Sequence, residues 1–87
     1  MDGCNKVTYL RGMNTIELDA KGLLCPLPVL KLRKRLKSLP AGDAVLLIAD
    51  DPAAVIDVPH FCQESGFELV EARDSNGART YLVRKPG

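Results

Sequence analysis

The stretch GLLCPLPVLKLRKRLKSLP, residues 22–40, contains the signals that set where the first helix begins and ends. A proline ring clashes with the carbonyl four residues earlier, so Pro28 excludes Leu24 from the helix, whereas Pro26 suits the first helical position. These signals predict a helix from Pro26 to about residue 39, with Cys25 as its cap residue. The apolar positions that recur at helical spacing are Val29, Leu32, Leu36 and Leu39.

The segments on either side of this helix have strand patterns. Before it, Ile16 and Leu18 alternate with polar residues, which indicates a short, half-buried strand. After the Pro-Ala-Gly-Asp break at 40–43, residues 44–49 are continuously apolar, as expected for a strand that is covered on both faces or lies at the centre of a sheet.

A second helix is predicted after residue 50. An aspartate followed by Pro52 is a typical helix start, and Gly66 is a natural stop. Pro59 lies inside this segment and disfavours a continuous helix. The pattern therefore predicts a helix that includes Val58, Phe61 and Cys62 on one face, with a possible single turn at 52–56 and a restart capped by Asp57.

Residues 67–73 and 79–85 are rich in strand formers and flank a loop that contains Asn-Gly, which predicts a hairpin. The predicted order is βαβαββ. The simplest packing is an α+β two-layer sandwich with two helices on one face of a four-stranded mixed sheet. Residues 1–13 show no sustained period and predict a flexible extension, so residues 14–87 form the predicted single domain.

The composition is that of a small globular domain. The chain has 87 residues, of which 26% are charged and 46% hydrophobic, with a net charge of +1. It contains no apolar run as long as a membrane span, and residues 1–13 lack the apolar middle of a secretory signal. We therefore expect a cytoplasmic protein without membrane association. A nearly neutral chain with 5% aromatic residues also disfavours strong direct binding of nucleic acid.

Three cysteines, Cys4, Cys25 and Cys62, have spacings that match neither a disulfide framework nor a zinc site. We expect free thiols and no metal. Cys62 shares helical spacing with Val58 and Phe61, which predicts a buried core position. Cys4 lies in the extension and has no predicted role, so Cys25 is the candidate reactive group.

Placed at the positive end of a helix dipole, the Cys25 thiol is expected to have a moderately lowered pKa. The same surroundings would stabilise a persulfide anion, which suits a residue that holds sulfur and passes it on by thiol exchange. No general base is evident near it in the sequence. The only histidine, His60, lies on the other predicted helix and is expected at the surface, so a Cys/His hydrolase is disfavoured.

Charge is unevenly distributed along the chain. Residues 21–37 carry six Lys or Arg and no acid, whereas residues 38–74 carry eight acids and only Arg73 as a base. This polarity suits docking to a partner, although a solvated helix face explains the cations equally well. The candidates for binding an acidic partner surface are Lys21, Lys31, Arg33, Lys34 and Lys37.

The run from Leu18 to Pro28, LDAKGLLCPLP, resembles the TusA/SirA family of sulfur carriers, whose motif is CPxP after a D-x-x-G-L lead-in. The resemblance continues through Asp50-Asp51-Pro52, Asp57-Val58-Pro59, Phe67-Glu68-Leu69-Val70 and Tyr81-Leu82-Val83-Arg84-Lys85. It covers about residues 15–86 and implies the same βαβαββ two-layer fold.

The resemblance implies that Cys25 takes persulfide sulfur from a pyridoxal-phosphate cysteine desulfurase and passes it to a downstream relay protein. It also implies that Pro26, Pro28, Asp19 and Gly22 form the scaffold of the thiol, and that the covalent persulfide, not a bound cofactor, is the intermediate. Family members serve tRNA 2-thiouridine formation, molybdenum-cofactor maturation or sulfur oxidation. This chain departs from the tRNA-pathway members in having Leu27 where they have Glu.

Two other functions are compatible with the sequence. The first is a regulatory protein-interaction module without sulfur chemistry, in which CPLP is only a rigid helix start. The second is a thiol redox sensor, for which Cys62 would have to resolve an oxidised Cys25. A covalent sulfur relay, acting with partners and not as a stand-alone catalyst, remains the leading interpretation.

Overall fold

The computed structural model describes residues 7–10, 13–75 and 77–86, which form one sheet with two helices. The sheet has five strands in the order β1-β2-β3-β5-β4. The elements in chain order are β1 (Val7–Leu10), β2 (Met13–Asp19), α1 (Leu27–Lys37), β3 (Ala44–Ala49), α2 (Ala54–Ser65), β4 (Glu68–Ser75) and β5 (Ala78–Arg84).

Both helices lie on the same face of the sheet, and the strand directions explain why. β2 and β3 are parallel and are connected through α1. β3 and β4 are each antiparallel to β5, so they run parallel to each other and are connected through α2. Two right-handed crossovers that advance in the same direction across a sheet place their helices on one face.

The core lies between this face and the helices. Leu32 and Leu36 of α1 and Val58 of α2 are fully buried. They pack in one cluster with residues of β2, β3 and β5, namely Leu18, Val45, Leu47, Ala49, Tyr81 and Val83. On β3, Leu46 and Ile48 alternate with the core residues and are only partly buried. The continuous apolar run at 44–49 therefore corresponds to a strand in the middle of the sheet.

The predicted α+β fold is confirmed, with β2, α1, β3, α2, β4 and β5 in the predicted order. The structure adds one strand. Residues 7–10 pair antiparallel with β2, from Val7 opposite Ile16 to Leu10 opposite Met13, where the sequence predicted a flexible extension. A strand of four residues is too short to show a clear alternation of apolar and polar residues in the sequence. It is recognised as a strand by its hydrogen bonds to β2. Residues 1–6 and 11–12 of that extension lie outside the described residues.

Helix α1 begins one residue later than predicted. The first α-type hydrogen bond runs from the Leu30 N–H to the Pro26 carbonyl, which makes Pro26 the N-cap. Cys25, predicted as the cap, therefore lies one residue before the N-cap and is joined to Pro26 by a cis peptide bond. The Leu27 N–H donates to the Leu24 carbonyl at 2.8 Å, so a separate turn precedes the helix.

Helix α2 is continuous through Pro59, without a restart at Asp57. It is preceded by a turn in which Ala54 N–H donates to the Asp51 carbonyl at 3.0 Å. The Asp51 side chain also accepts from the Ala53 N–H at 3.3 Å within this turn. The N-cap of α2 is Ala53, without a side-chain cap hydrogen bond, so the predicted aspartate cap with Pro52 as the first helical residue is wrong. Gly66 ends the helix with φ +80°. No helix in the described part of the chain is long and apolar enough to cross a membrane.

Candidate functional site

Cys25 lies in the loop between β2 and α1, next to the loop between β3 and α2. Because β2 and β3 are parallel, both loops leave the same edge of the sheet. Two hydrogen bonds join the loops through aspartate side chains: Gly22 N–H donates to Asp50 Oδ1 at 3.0 Å, and Cys25 N–H donates to Asp51 Oδ2 at 2.6 Å. The acids of the second loop thus fix the backbone that carries the thiol.

The lead-in residues shape this loop from within. Asp19 Oδ1 accepts a hydrogen bond from Lys21 N–H at 3.0 Å, which closes a tight turn after β2. Gly22 has φ +83°, a conformation that residues with a Cβ rarely adopt. Pro28, in the first turn of α1, is fully buried, whereas Pro26 is exposed. These contacts place Asp19, Gly22 and Pro28 in or beside the loop that carries the thiol, and the scaffold role of these residues and of Pro26 stays a prediction.

The thiol is exposed but has a polar partner. Cys25 Sγ donates a hydrogen bond to Asp57 Oδ2 at 2.6 Å. This bond, with some desolvation and the negative charges of Asp57 and Asp51, raises the pKa of Cys25 above the ordinary thiol value. A thiolate beside these carboxylates is disfavoured because like charges repel.

The predicted lowering of the Cys25 pKa is therefore wrong. A lowered pKa at the positive end of a helix requires free N–H groups of the first turn near the sulfur. The N–H of Leu27 is instead bonded to the Leu24 carbonyl, and Pro28 has no N–H to donate. A helix terminus also acts within its own first turn, and Cys25 lies before the N-cap, while Asp57 contacts the sulfur directly.

Asp51 and Asp57 are site residues that the sequence analysis did not assign to the thiol. In the sequence, both are helix-start signals and belong to segments that resemble the TusA/SirA family. The signal that identifies them is topological: acids that follow β3 lie at the same sheet edge as the loop that follows the parallel strand β2. This relation depends on which strands are neighbours in the sheet, and it cannot be read from the spacing of residues along the chain.

A groove of about 660 Å³ between α1 and α2 includes Cys25 in its wall. Val29, Phe61 and Phe67 contribute apolar surface, and the two phenylalanine rings are 5.6 Å apart between centroids. The charged and titratable side chains of the groove are Arg33, Lys37, Asp57, His60 and Glu64. Sulfur bound to Cys25 would thus lie beside an open groove of mixed polarity.

The structure divides the five predicted partner-binding cations. Arg33 and Lys37 line the groove that contains Cys25. Lys31 and Lys34 line a separate hollow with Leu18 and are turned away from that groove. The remaining one, Lys21, is exposed in the loop before Cys25.

The other candidate groups are arranged largely as predicted. Cys62 is 3% exposed, which confirms its predicted core position, and burial raises the pKa of its thiol to about 11. His60 is exposed, as predicted, and its Nε2 is 3.6 Å from Glu64 Oε2. Cys4 lies outside the described residues. Within the described ranges, no group of three or more His, Cys, Asp or Glu could hold a metal ion.

Known proteins resemble this chain along most of its length. The family model for Sulfurtransferase TusA matches residues 16–85. The Sulfur carrier protein TusA of Pseudomonas syringae pv. syringae (strain B728a) is 45% identical over 69 residues, which cover 79% of this chain and 82% of the relative. The protein of the same name from Allochromatium vinosum is 41% identical over 69 residues, covering 79% of this chain and 91% of the relative.

A solved structure has the same fold. The crystal structure of the SirA-like protein from Desulfitobacterium hafniense is similar with a TM-score of 0.72 and 25% sequence identity. The match covers 82% of this chain and 97% of that structure. Since the family match over residues 16–85 includes Cys25, both prolines of the CPLP motif and nearly all of the sheet and helices, the chain belongs to the TusA family.

Proposed function

We propose that this protein is a sulfur carrier that accepts persulfide sulfur on Cys25 from a cysteine desulfurase and relays it to an acceptor. The observation that carries the proposal is the exposed Cys25 thiol, held ahead of α1 by the motif of a TusA-family chain. The names of the Pseudomonas and Allochromatium relatives, sulfur carrier protein, support it.

The transfer needs no bound cofactor in the carrier. In loading, Cys25 gives up its thiol proton and its sulfur attacks the terminal sulfur of the donor persulfide. A new S–S bond forms, and the donor cysteine leaves with the electron pair of the broken S–S bond and takes up a proton. In discharge, an acceptor thiolate attacks the terminal sulfur, and Cys25 is the leaving group. The pyridoxal phosphate that generates the sulfur belongs to the donor.

We assign docking to the surface around Cys25. Leu24, Leu27 and Leu30 are exposed apolar residues close to Cys25 in the chain, and Arg33 and Lys37 add positive charge along the groove. Lys21, Lys31 and Lys34 are candidates for a wider contact with an acidic partner. Among acceptors, we propose relay proteins or thiols of tRNA 2-thiouridine formation, molybdenum-cofactor maturation or related sulfur metabolism. An apolar Leu27 in place of Glu changes the surface offered to them.

The test is intact-protein mass after incubation with a cysteine desulfurase, L-cysteine and pyridoxal phosphate. We expect wild type and Cys62→Ser to gain one sulfur, about 32 Da, and to lose it on reduction, whereas Cys25→Ser gains none. Cys62→Ser is the matched control because it removes the other described thiol. Absence of any gain in wild type with several desulfurases would refute the proposal.

A regulatory interaction module is the second candidate, and the exposed apolar side chains near the CPLP turn favour it. Ile56 is 73% exposed and Leu24 is 68% exposed, values that are high for large apolar residues. Under this alternative, Cys25→Ser keeps its partners and its cellular effect. The redox-sensor alternative has less support, because the thiol of its resolving residue, Cys62, is buried.

A further inference from the structure

Asp57 is the only described side chain hydrogen-bonded to the Cys25 sulfur. Its Oδ2 lies 2.6 Å from Sγ, and its own backbone N–H is tied to the Ala53 carbonyl at 2.9 Å in the first turn of α2. The carboxylate is therefore held at the sulfur by a helix packed in the core, and not by a flexible loop. Asp51 reaches the backbone N–H of Cys25 instead of its sulfur.

The charges around the sulfur come from three elements. Arg33 and Lys37 face the groove from α1, Asp57, His60 and Glu64 face it from α2, and Asp51 approaches from the β3–α2 loop. The groups that act on the sulfur most strongly are carboxylates, and the result is a raised pKa at Cys25. The two cations of α1 share the groove, but neither is bonded to Sγ in the described structure.

We propose that Asp57 is a positioning residue that holds Cys25 as the neutral thiol and thereby restricts its sulfur exchange in the free carrier. This inference deepens the proposed carrier function and rests on it. An ionised carboxylate can only accept hydrogen bonds, so it pairs with S–H and repels S⁻. The thiol is exposed to solvent, and the Asp57 carboxylate, not burial, limits its reaction with small molecules.

The thiol-exchange chemistry predicts two consequences. The first concerns the free thiol. A small electrophile reacts with the thiolate form of Cys25, and because Asp57 lowers the fraction of thiolate, such reactions outside a partner complex are slow.

The second consequence concerns the loaded carrier, in which a small thiolate R–S⁻ attacks the terminal sulfur of the Cys25 persulfide. An R–S–S bond forms, the Cys25 S–S bond breaks, and its electron pair goes to Sγ, which takes up a proton from water. A thiol of raised pKa is a poorer leaving group, so the carrier loses its sulfur slowly to thiols in solution.

The experiment measures alkylation of Cys25 by iodoacetamide across pH, followed by peptide mass so that Cys4 and Cys62 are read separately. We expect Asp57→Asn to move the midpoint of the rate profile to lower pH and to raise the rate at neutral pH. When the pKa of a thiol falls by one, its thiolate fraction at neutral pH rises about tenfold, while the nucleophilicity of the thiolate falls about threefold. The alkylation rate at neutral pH therefore rises roughly threefold for each pKa unit by which the substitution lowers the pKa of Cys25. Glu64→Gln is the matched control, since Glu64 is a groove carboxylate of α2 that is not bonded to the sulfur.

A second variant separates charge from structure. Asp57→Glu keeps a carboxylate on the same helix position and should return the profile toward that of wild type, while circular dichroism reports whether each variant is folded. If folded Asp57→Asn alkylates with the wild-type pH profile, the inference is overturned. The same result follows if Glu64→Gln shifts the profile as much as Asp57→Asn does.

The loaded carrier gives an independent measurement. Persulfidated wild type and Asp57→Asn are incubated with glutathione, and loss of the added sulfur mass is followed over time. We expect faster loss from Asp57→Asn, and equal rates would contradict the retention role. Failure of wild type to load at all would refute the proposed function, whereas the alkylation profile would still decide whether Asp57 controls the thiol.

Discussion

At the scale of single residues, Cys25 combines two properties that normally oppose each other. It is exposed, as sulfur exchange with a protein partner requires, yet its sulfur is bonded to Asp57 and its backbone to Asp51. The aspartates fix the position of the thiol and disfavour its reactive form. Accessibility and low intrinsic reactivity suit a group that should exchange sulfur only inside a complex.

Gly22 is the residue of this loop with the strictest backbone requirement. Its φ of +83° is strained for any residue with a Cβ, although open space surrounds the position where a Cβ would lie. We expect Gly22→Ala to lower the free energy of unfolding by about 1 kcal/mol through backbone strain alone. Urea denaturation measures it, with Lys21→Ala as the neighbouring control. Equal stability of Gly22→Ala and wild type would show that the turn relaxes without cost.

At the scale of elements, α1 has two basic sides with different surroundings. Arg33 and Lys37 share a groove with Cys25, and Lys31 and Lys34 line a hollow on the other side. Helical geometry separates residues of similar charge into distinct faces, so a cluster that is continuous in sequence becomes two surfaces. Only one of them adjoins the thiol.

This division predicts an asymmetric effect of charge reversal on sulfur loading. The double variant Arg33→Glu with Lys37→Glu should load from the desulfurase roughly tenfold more slowly at low ionic strength, because steering toward an acidic partner is lost. The matched double variant Lys31→Glu with Lys34→Glu makes the same charge change and should have a smaller effect. Initial rates of the mass gain at low and high salt provide the comparison. Equal slowing in both double variants would place docking outside the groove.

At the scale of the whole molecule, the parallel pairing of β2 with β3 assembles the site. It brings the CPLP turn and the Asp50-Asp51 loop to one edge of the sheet, and α2 then carries Asp57 to the sulfur. The same architecture buries Cys62 between α2 and the sheet. The two described cysteines thus have opposite environments, one available to partners and one withdrawn into the core.

The buried thiol predicts a pH dependence of stability. Burial raises the pKa of Cys62 from 9.0 to about 11, so on raising the pH the unfolded chain releases this proton before the folded chain does. The contribution to folding is fully present below pH 9.0 and declines as the pH rises toward 11, by roughly 2 kcal/mol. Urea unfolding of wild type and Cys62→Ala at both ends of this range measures it. We expect a steeper decline in wild type, and parallel declines would contradict the assignment.

The order of the central elements follows from the sequence, because each of them has a local cause. Pro26 and Pro28 restrict where α1 can begin, the apolar run at 44–49 requires a central strand, and Gly66 ends α2. The sequence also predicts Cys25 as the candidate reactive group. These properties depend on backbone sterics and on hydrophobic periodicity, which act over a few residues.

The surroundings of the thiol and the presence of β1 as an edge strand depend on the tertiary structure. Asp57 is 32 residues from Cys25 in the chain, and their contact depends on the direction of β3 and the packing of α2. For that reason a pKa predicted from the local helix end had the wrong direction. Strand β1 similarly exists through its pairing with β2. Local sequence determines conformation, but electrostatics and strand pairing depend on neighbours in space that only the assembled fold defines.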